Sequence, residues 1–225
     1  MIIRIRWIVA AAVFTVNCSL SVSHAWAQEC GVFPLSDSLF ATMNGVSYKE
    51  GCPVSRNDLR LVRVRHYDLQ GREHIGELVC HRLIADDLLE IFTELHRRRY
   101  PIERMRPIDH YGADDERSMS DNNTSSFCYR PIAGSTKISA HARGMAVDIN
   151  PLYNPCVRNR RDGSVSVEPA NATAYTDRRR TFPYKITNKD LCYRLFVKHG
   201  FKWGGEWHSL KDYQHFEKEL KKGTE

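Results

Sequence analysis

Apolar and polar residues alternate over two neighbouring segments in the first half of the chain. The stretch LRLVRVRHY, residues 59–67, places apolar and basic residues in turn, and HIGELVC, residues 74–80, resumes an extended pattern after the turn DLQGRE. Such alternation is typical of half-buried strands. The two segments therefore predict a β-hairpin.

The next segment changes to a helical period. Leu88, Leu89, Phe92 and Leu95 recur at helical spacing within residues 85–98, with two aspartates near the start and arginines near the end. Those charges complement the helix dipole, and a proline at position 101 ends the pattern. A helix is predicted here.

Alternation returns in the segment GMAVDIN, residues 144–150. Met145, Val147 and Ile149 share one face of a strand, while Asp148 lies on the other face. The pattern predicts a strand that presents one carboxylate opposite its apolar side.

A second helix is predicted between an Asn188 cap and His199, with Gly200 as its stop and FKW, residues 201–203, as a last strand. The segments 101–127 and 151–187 are polar; we expect the first to be an irregular loop and the second a surface excursion over a site. Helices and strands are mixed without regular βαβ alternation. This favours an α+β fold with a mainly antiparallel sheet and flanking helices.

The N-terminus has the features of an export signal. Arginines at positions 4 and 6 precede an apolar stretch that ends at Ala25 and Ala27, an A-x-A cleavage pattern. We expect residues 1–27 to be a signal peptide, the mature chain to begin near Gln28 as a single domain without stable membrane insertion, and the protein to be periplasmic or secreted.

Charge and cysteine content narrow the functional classes. The net charge of +6 is spread along the chain, which does not indicate a nucleic-acid-binding protein. An even number of cysteines follows the signal, so three disulfides are expected, with their pairing open. These cysteines are Cys30, Cys52, Cys80, Cys128, Cys156 and Cys192.

Unusual polar side chains are concentrated in three segments: FCYRP from 127, SAHARGMAVDIN from 139 and WGGEWHSLKDYQHFE from 203. Neutral imidazole and carboxylate are the ligands expected of a catalytic zinc ion, which keeps a fourth position open. The turn at Gly144 can bring His141 and Asp148 together, and His215 can complete the triangle from a neighbouring strand.

The same segments resemble a known family. SAHARGMAVD is similar to the S-x-H-x-x-G-x-A-x-D motif of the M15 zinc peptidases, and DYQHFE resembles their C-terminal D-x-x-H motif. The preceding GGEW is similar to the G-G-D-W of the carboxypeptidase-like branch. The resemblance spans about residues 77–217; it implies a hedgehog/DD-peptidase-like fold with a catalytic core at 80–217, preceded by an N-terminal extension and hairpin at 28–79.

The resemblance also implies roles for individual residues. His141, Asp148 and His215 would bind Zn²⁺. Asp212 would act as general base, and Ser139 would contact substrate. Arg130 would stabilise the oxyanion or hold a terminal carboxylate, with Arg143 as a competing candidate.

Two other constellations are less favoured. Glu206 and His208 resemble an E-x-x-H pair, but only Trp207 separates them, so we expect a structural acid and a residue at the rim of the site. Ser139 and His141 lack the G-x-S-x-G context of a serine hydrolase.

The expected function is a zinc peptidase acting on peptidoglycan peptides, most simply as a D-Ala-D-Ala carboxypeptidase. The alternatives are an L-alanyl-D-glutamate endopeptidase and a catalytically silent, zinc-stabilised binding module. Asp212 argues against the module, because a structural zinc ion needs no base.

Overall fold

The computed structural model describes residues 30–130, 137–160 and 162–219. The predicted signal peptide therefore lies outside the described residues. Within the described part of the chain, no helix has the length and apolar character needed to span a bilayer.

The described residues form four α-helices and eleven strands, with short 3₁₀ turns between them. The helices are α1 Asp37–Met43, α2 Arg82–Arg97, α3 Asp115–Ser120 and α4 Leu191–Lys198. The strands are β1 Gly31–Pro34, β2 Leu59–Tyr67, β3 Glu73–His81, β4 Arg104–Met105, β5 Asn123–Thr124, β6 Ala146–Asp148, β7 Cys156–Asn159, β8 Val165–Glu168, β9 Lys202–Trp203, β10 Lys211–Asp212 and β11 His215–Glu217.

The sheets are mainly antiparallel, as predicted. Three three-stranded sheets have the orders β1-β2-β3, β10-β7-β8 and β6-β11-β9, and all their pairings are antiparallel. A parallel pair, β4 and β5, completes the set. Together with the helices they confirm the α+β class.

The predicted hairpin is confirmed as β2 and β3, which pair from Leu59↔His81 to Tyr67↔Glu73. Helix α2 is also confirmed, but it begins earlier than the sequence predicted. His81 caps it by accepting a hydrogen bond from the Leu83 N–H through Nδ1. Cap residues of this kind carry little sequence signal, so the start was misplaced by three residues.

One hydrophobic cluster joins the hairpin to the C-terminal strands. It contains Val62 of β2, Leu88 of α2, Val147 of β6, Phe196 of α4 and Phe216 of β11, all at most 1% exposed. Burying a side chain of this size contributes roughly 1.5–3 kcal/mol relative to exposure. The cluster fixes β6 and β11 against α2 and thereby supports the candidate site.

Other predictions need correction. The last helix is capped by Asp190, whose carboxylate accepts from the Cys192 N–H, and not by Asn188.

The segment 101–127 is not an irregular loop, since it contains β4, β5 and α3 and its last residues, 122–127, are buried. Its polar side chains serve internal hydrogen bonds, such as the pair of Asn123 contacts to Arg106.

The three expected disulfides are not confirmed, because all six cysteines are free thiols. Cys80, Cys156 and Cys192 lie on three separate elements, β3, β7 and α4, and each is buried there. Burial raises the pKa of all three thiols above its ordinary value, which suits unreactive core residues.

Candidate metal centre

The register of two strands places two of the predicted ligands, Asp148 and His215, side by side. In the antiparallel pair β6–β11, Asp148 lies directly opposite His215, and Val147 lies opposite Phe216. Because successive side chains of a strand point to opposite faces, Val147 and Phe216 lie in the core, and Asp148 and His215 lie on the other face. Oδ1 of Asp148 is 3.1 Å from Nδ1 of His215.

His141 reaches the same point from a 3₁₀ turn, His141–Arg143, that precedes β6. The Oγ of Ser139 accepts a hydrogen bond of 3.0 Å from the Ala142 N–H and so holds this turn. Gly144 ends it with φ +66°, and a Cβ there would lie 2.7 Å from the backbone nitrogen of His81. Only glycine combines that dihedral with so close an approach to β3.

The three side chains converge. Nε2 of His141 lies 3.1 Å from Nδ1 of His215 and 3.2 Å from Oδ2 of Asp148. All three potential ligand atoms lie within 4.8 Å of one another, and the residues are 6–8% exposed. The structure thus brings together the three predicted ligands in a group able to hold a metal ion.

The second nitrogen of each imidazole has an oxygen partner. Nδ1 of His141 donates to the carbonyl oxygen of Ser126 over 2.6 Å, and Nε2 of His215 lies 3.4 Å from Oε2 of Glu217. These contacts place a proton on each outer nitrogen, so the inner nitrogens are the ones that would bind a metal ion. Metal-binding histidines are oriented in this way, so the residues fit a metal ion.

The charges of these three side chains strongly affect one another. Burial disfavours the charged form of Asp148. The imidazoles of His141 and His215 nevertheless hold the pKa of Asp148 well below its usual range. For His215 burial is likewise outweighed, and hydrogen bonds to Asp148 and Glu217 raise the pKa to about 10. A divalent cation would take over the role of that proton.

The predicted base lies beside this group. Asp212 is in β10, opposite Cys156 of β7, and its Oδ1 is buried without a hydrogen-bond partner among the described residues. Burial raises its pKa to about 6, against the opposing effect of the His215 charge. Gly204 makes this position possible, because a Cβ there would lie 2.6 Å from the Asp212 carbonyl oxygen.

Arg130 and Ser139 also line the cleft, whereas Arg143 does not. Arg130 forms an ion pair with Asp115 of α3, a cleft residue that no sequence pattern had indicated. Arg143 is exposed and donates to the Ile138 carbonyl oxygen over 3.1 Å. Of the two competing arginines, the structure therefore brings Arg130 to the candidate site.

The less favoured pair lies apart. Glu206 is exposed and accepts a hydrogen bond of 2.7 Å from the Tyr193 hydroxyl, and His208 is exposed and is not among the residues that line the cleft. Trp207 between them does line the cleft, and its ring centroid lies 5.2 Å from that of His215. The aromatic residue, rather than its charged neighbours, therefore belongs to the site.

The cleft has a volume of about 280 Å³. Pockets for small molecules usually run from roughly 300 to 1,000 Å³. A short peptide end fits this space better than a long folded segment. Its wall opposite the metal group is formed by the β7–β8 hairpin, so the excursion predicted at 151–187 does contribute to the site.

Comparison with known proteins agrees with this geometry. Residues 133–218 match the family model described as D-alanyl-D-alanine carboxypeptidase, which represents M15 peptidases. This segment is therefore similar to M15 peptidases. No curated protein and no solved structure gives a match. All three candidate metal ligands lie inside the matched segment, as do Asp212 and Ser139, whereas Arg130 lies just before it.

Proposed function

We propose that this protein is a peptidase of the M15 type, an exported zinc enzyme that removes the terminal residue from peptidoglycan peptides ending in D-Ala-D-Ala. The observation that carries the proposal is the convergence of His141, Asp148 and His215 beside the carboxylate of Asp212, whose Oδ1 has no hydrogen-bond partner among the described residues. A structural metal site needs no such carboxylate, whereas hydrolysis needs a base.

Zinc is the metal that this donor set favours. Two imidazoles and one carboxylate are typical of catalytic zinc sites, where a further position is left open. When bound, zinc supplies Lewis acidity that polarises a carbonyl group and makes a water molecule more acidic. His141, Asp148 and His215 would hold it.

Asp212 acts as the proton carrier. Its buried Oδ1 has no hydrogen-bond partner among the described residues, so it is free to accept a proton from attacking water and to return it to the leaving amine. Its raised pKa, about 6, keeps it ionised at neutral pH while leaving it a stronger base than an exposed aspartate.

Arg130 and Ser139 act on the substrate side. Asp115 orients the Arg130 guanidinium within the cleft, where its fixed charge offsets negative charge that develops on the reacting carbonyl oxygen. The Ser139 hydroxyl holds the turn that carries His141 and faces the cleft, so it can contact the substrate backbone as well.

Export rests on the N-terminal sequence. The basic start, the apolar stretch and the Ala25–Ala27 pattern support cleavage before Gln28 and a periplasmic or secreted location. N-terminal sequencing of the protein recovered outside the cytoplasm should then begin near Gln28. A mature protein that retains Met1 contradicts export by cleavage.

The bond that is cut can be read from the products. The pentapeptide L-Ala-γ-D-Glu-L-Lys-D-Ala-D-Ala, incubated with zinc-loaded protein, should give a tetrapeptide and free D-Ala by mass spectrometry. Release of L-Ala instead supports an L-alanyl-D-glutamate endopeptidase. Binding without any cleavage supports a zinc-stabilised binding module.

A further inference from the structure

Two side chains of opposite charge on the β7–β8 wall face the cleft. Arg158 of β7 and Glu168 of β8 both line it and are both half-buried. Neither side chain has an ion pair or hydrogen bond within the described ranges, whereas Arg130 is already paired with Asp115. The wall thus carries one cation and one anion that no other side chain of the described residues neutralises.

Strand register fixes where these charges lie. Glu168 is directly opposite Cys156, and Arg158 follows Cys156 by two residues on the same strand, so all three share one face. Glu168 and Arg158 are therefore diagonal neighbours, with Cα atoms about 7–8 Å apart. Long side chains on such a diagonal can contact one small group from two sides.

Arg158, Glu168 and the proposed base Asp212 all lie in one sheet. Asp212, Cys156 and Glu168 follow one another across β10, β7 and β8. Neighbouring strands lie about 4.8 Å apart, which places Glu168 roughly 10 Å from Asp212. An extended peptide advances about 3.3–3.6 Å per residue, so a side chain one or two residues from the reacting bond reaches this wall.

A ligand with a single charge would leave one of the two residues uncompensated in a half-buried position. A group that carries an ammonium and a carboxylate on the same carbon satisfies both, since Glu168 accepts from the ammonium and Arg158 donates to the carboxylate. We propose that Arg158 and Glu168 together bind a substrate residue whose side chain ends in a free α-amino acid group. A meso-diaminopimelate residue has such an end. The inference rests on the proposed peptidase function and narrows its substrate.

The test uses three peptides that differ only at the third residue: L-Ala-γ-D-Glu-X-D-Ala-D-Ala with X as meso-diaminopimelate, lysine or norleucine. The diaminopimelate side chain carries the ammonium and the carboxylate, the lysine side chain carries only the ammonium, and the norleucine side chain carries no charge. The parent should show kcat/KM in that descending order, each charge being worth about tenfold or more.

Each variant should act on one charge only. Arg158→Gln should lower kcat/KM for the diaminopimelate peptide to the level of the lysine peptide and leave the other two unchanged. Glu168→Gln should lower it for the diaminopimelate and lysine peptides and spare the norleucine peptide. Arg160→Gln, an exposed arginine at the end of the same hairpin strand, is the matched control and should change none.

Two results overturn the inference while the peptidase function stands. One is a parent that cleaves all three peptides equally, and the other is an equal loss on all three in both variants, which indicates a purely structural role. If the parent cleaves none of them, the proposed function fails. Calorimetric affinities of the same peptides for the zinc-loaded protein then decide: the same descending order supports the binding pair, and equal affinities refute it.

Discussion

Asp148 and His215 lie directly opposite each other in the β6–β11 pair, with Oδ1 of the carboxylate 3.1 Å from Nδ1 of the imidazole. Sheet register, and not a local turn, makes these two residues neighbours although they are far apart in sequence. A shift of one residue in that register would turn one of them into the core. The hydrophobic packing of Val147 and Phe216 on the opposite face therefore also secures the metal site.

Replacing the outer partner of His215 should weaken metal binding. In Glu217→Gln the Nε2 of His215 keeps a hydrogen-bond acceptor but loses the anion that makes the ring a better ligand. Zinc affinity should fall about 10–100-fold, as is usual when such outer contacts are lost. Competition with a chromogenic chelator measures it.

The matched control is Glu206→Gln, which removes an exposed carboxylate that bonds the Tyr193 hydroxyl. Its zinc affinity should equal that of the parent. Equal affinities in Glu217→Gln and the parent would show that the contact does not tune the site.

Gly144 should tolerate a methyl group far less well than Gly112. Both have a positive φ, +66° and +68°, so alanine is strained at either position by about 1–2 kcal/mol. At Gly144 the new Cβ would also meet the backbone of His81 at 2.7 Å, whereas nothing lies within 4 Å at Gly112. We expect Gly144→Ala to lower the free energy of unfolding by about 1–3 kcal/mol more than Gly112→Ala.

Urea unfolding of the two variants measures the difference. Zinc content should fall with Gly144→Ala alone, because the turn that carries His141 must move. Equal losses of stability in the two variants would mean that the backbone at Gly144 can relax away from β3.

Much of the scaffold follows from sequence periodicity. The hairpin of β2 and β3 and the helix α2 were predicted because their hydrophobic periods, two and 3.6, are long and regular. Helix starts were less accurate. Asn188 and Asp190 are equally good caps by residue type, and only the folded backbone shows that the carboxylate of Asp190 meets the N–H of Cys192.

The candidate metal ligands were found because two compact motifs carry them. Other residues of the cleft were not predicted, for a physical reason: Asp115 joins it through an ion pair with Arg130, and Trp207 and Arg158 join it through strand and turn geometry. Contacts of this kind depend on how separate elements pack, and a single sequence does not encode them as a local pattern.

The loss of kcat/KM at low pH, the acid limb of the pH profile, should reflect protonation of Asp212. Burial raises its pKa to about 6, against the effect of the His215 charge, and a bound cation would lower that value. A base works only when deprotonated, so kcat/KM should be lost as the pH falls and should be half-maximal at or below about 6.

Zinc content measured at each pH separates this limb from loss of metal. Cys156→Ala should move the limb to higher pH, because the hydrogen bond from the Cys156 thiol helps to lower the pKa of Asp212. A limb centred above pH 7 in the zinc-loaded parent, or one unmoved by Cys156→Ala, would contradict the assignment.

The most direct test of the account compares the parent protein with Asp212→Asn for zinc content and for release of D-Ala from a D-Ala-D-Ala-terminated peptide, before and after chelation. We expect one zinc ion per chain in both proteins, cleavage by the parent that chelation abolishes and zinc restores, and a rate about 10²–10⁴-fold lower in the variant. Equal cleavage by Asp212→Asn and the parent, or cleavage that survives complete removal of the metal, would contradict it.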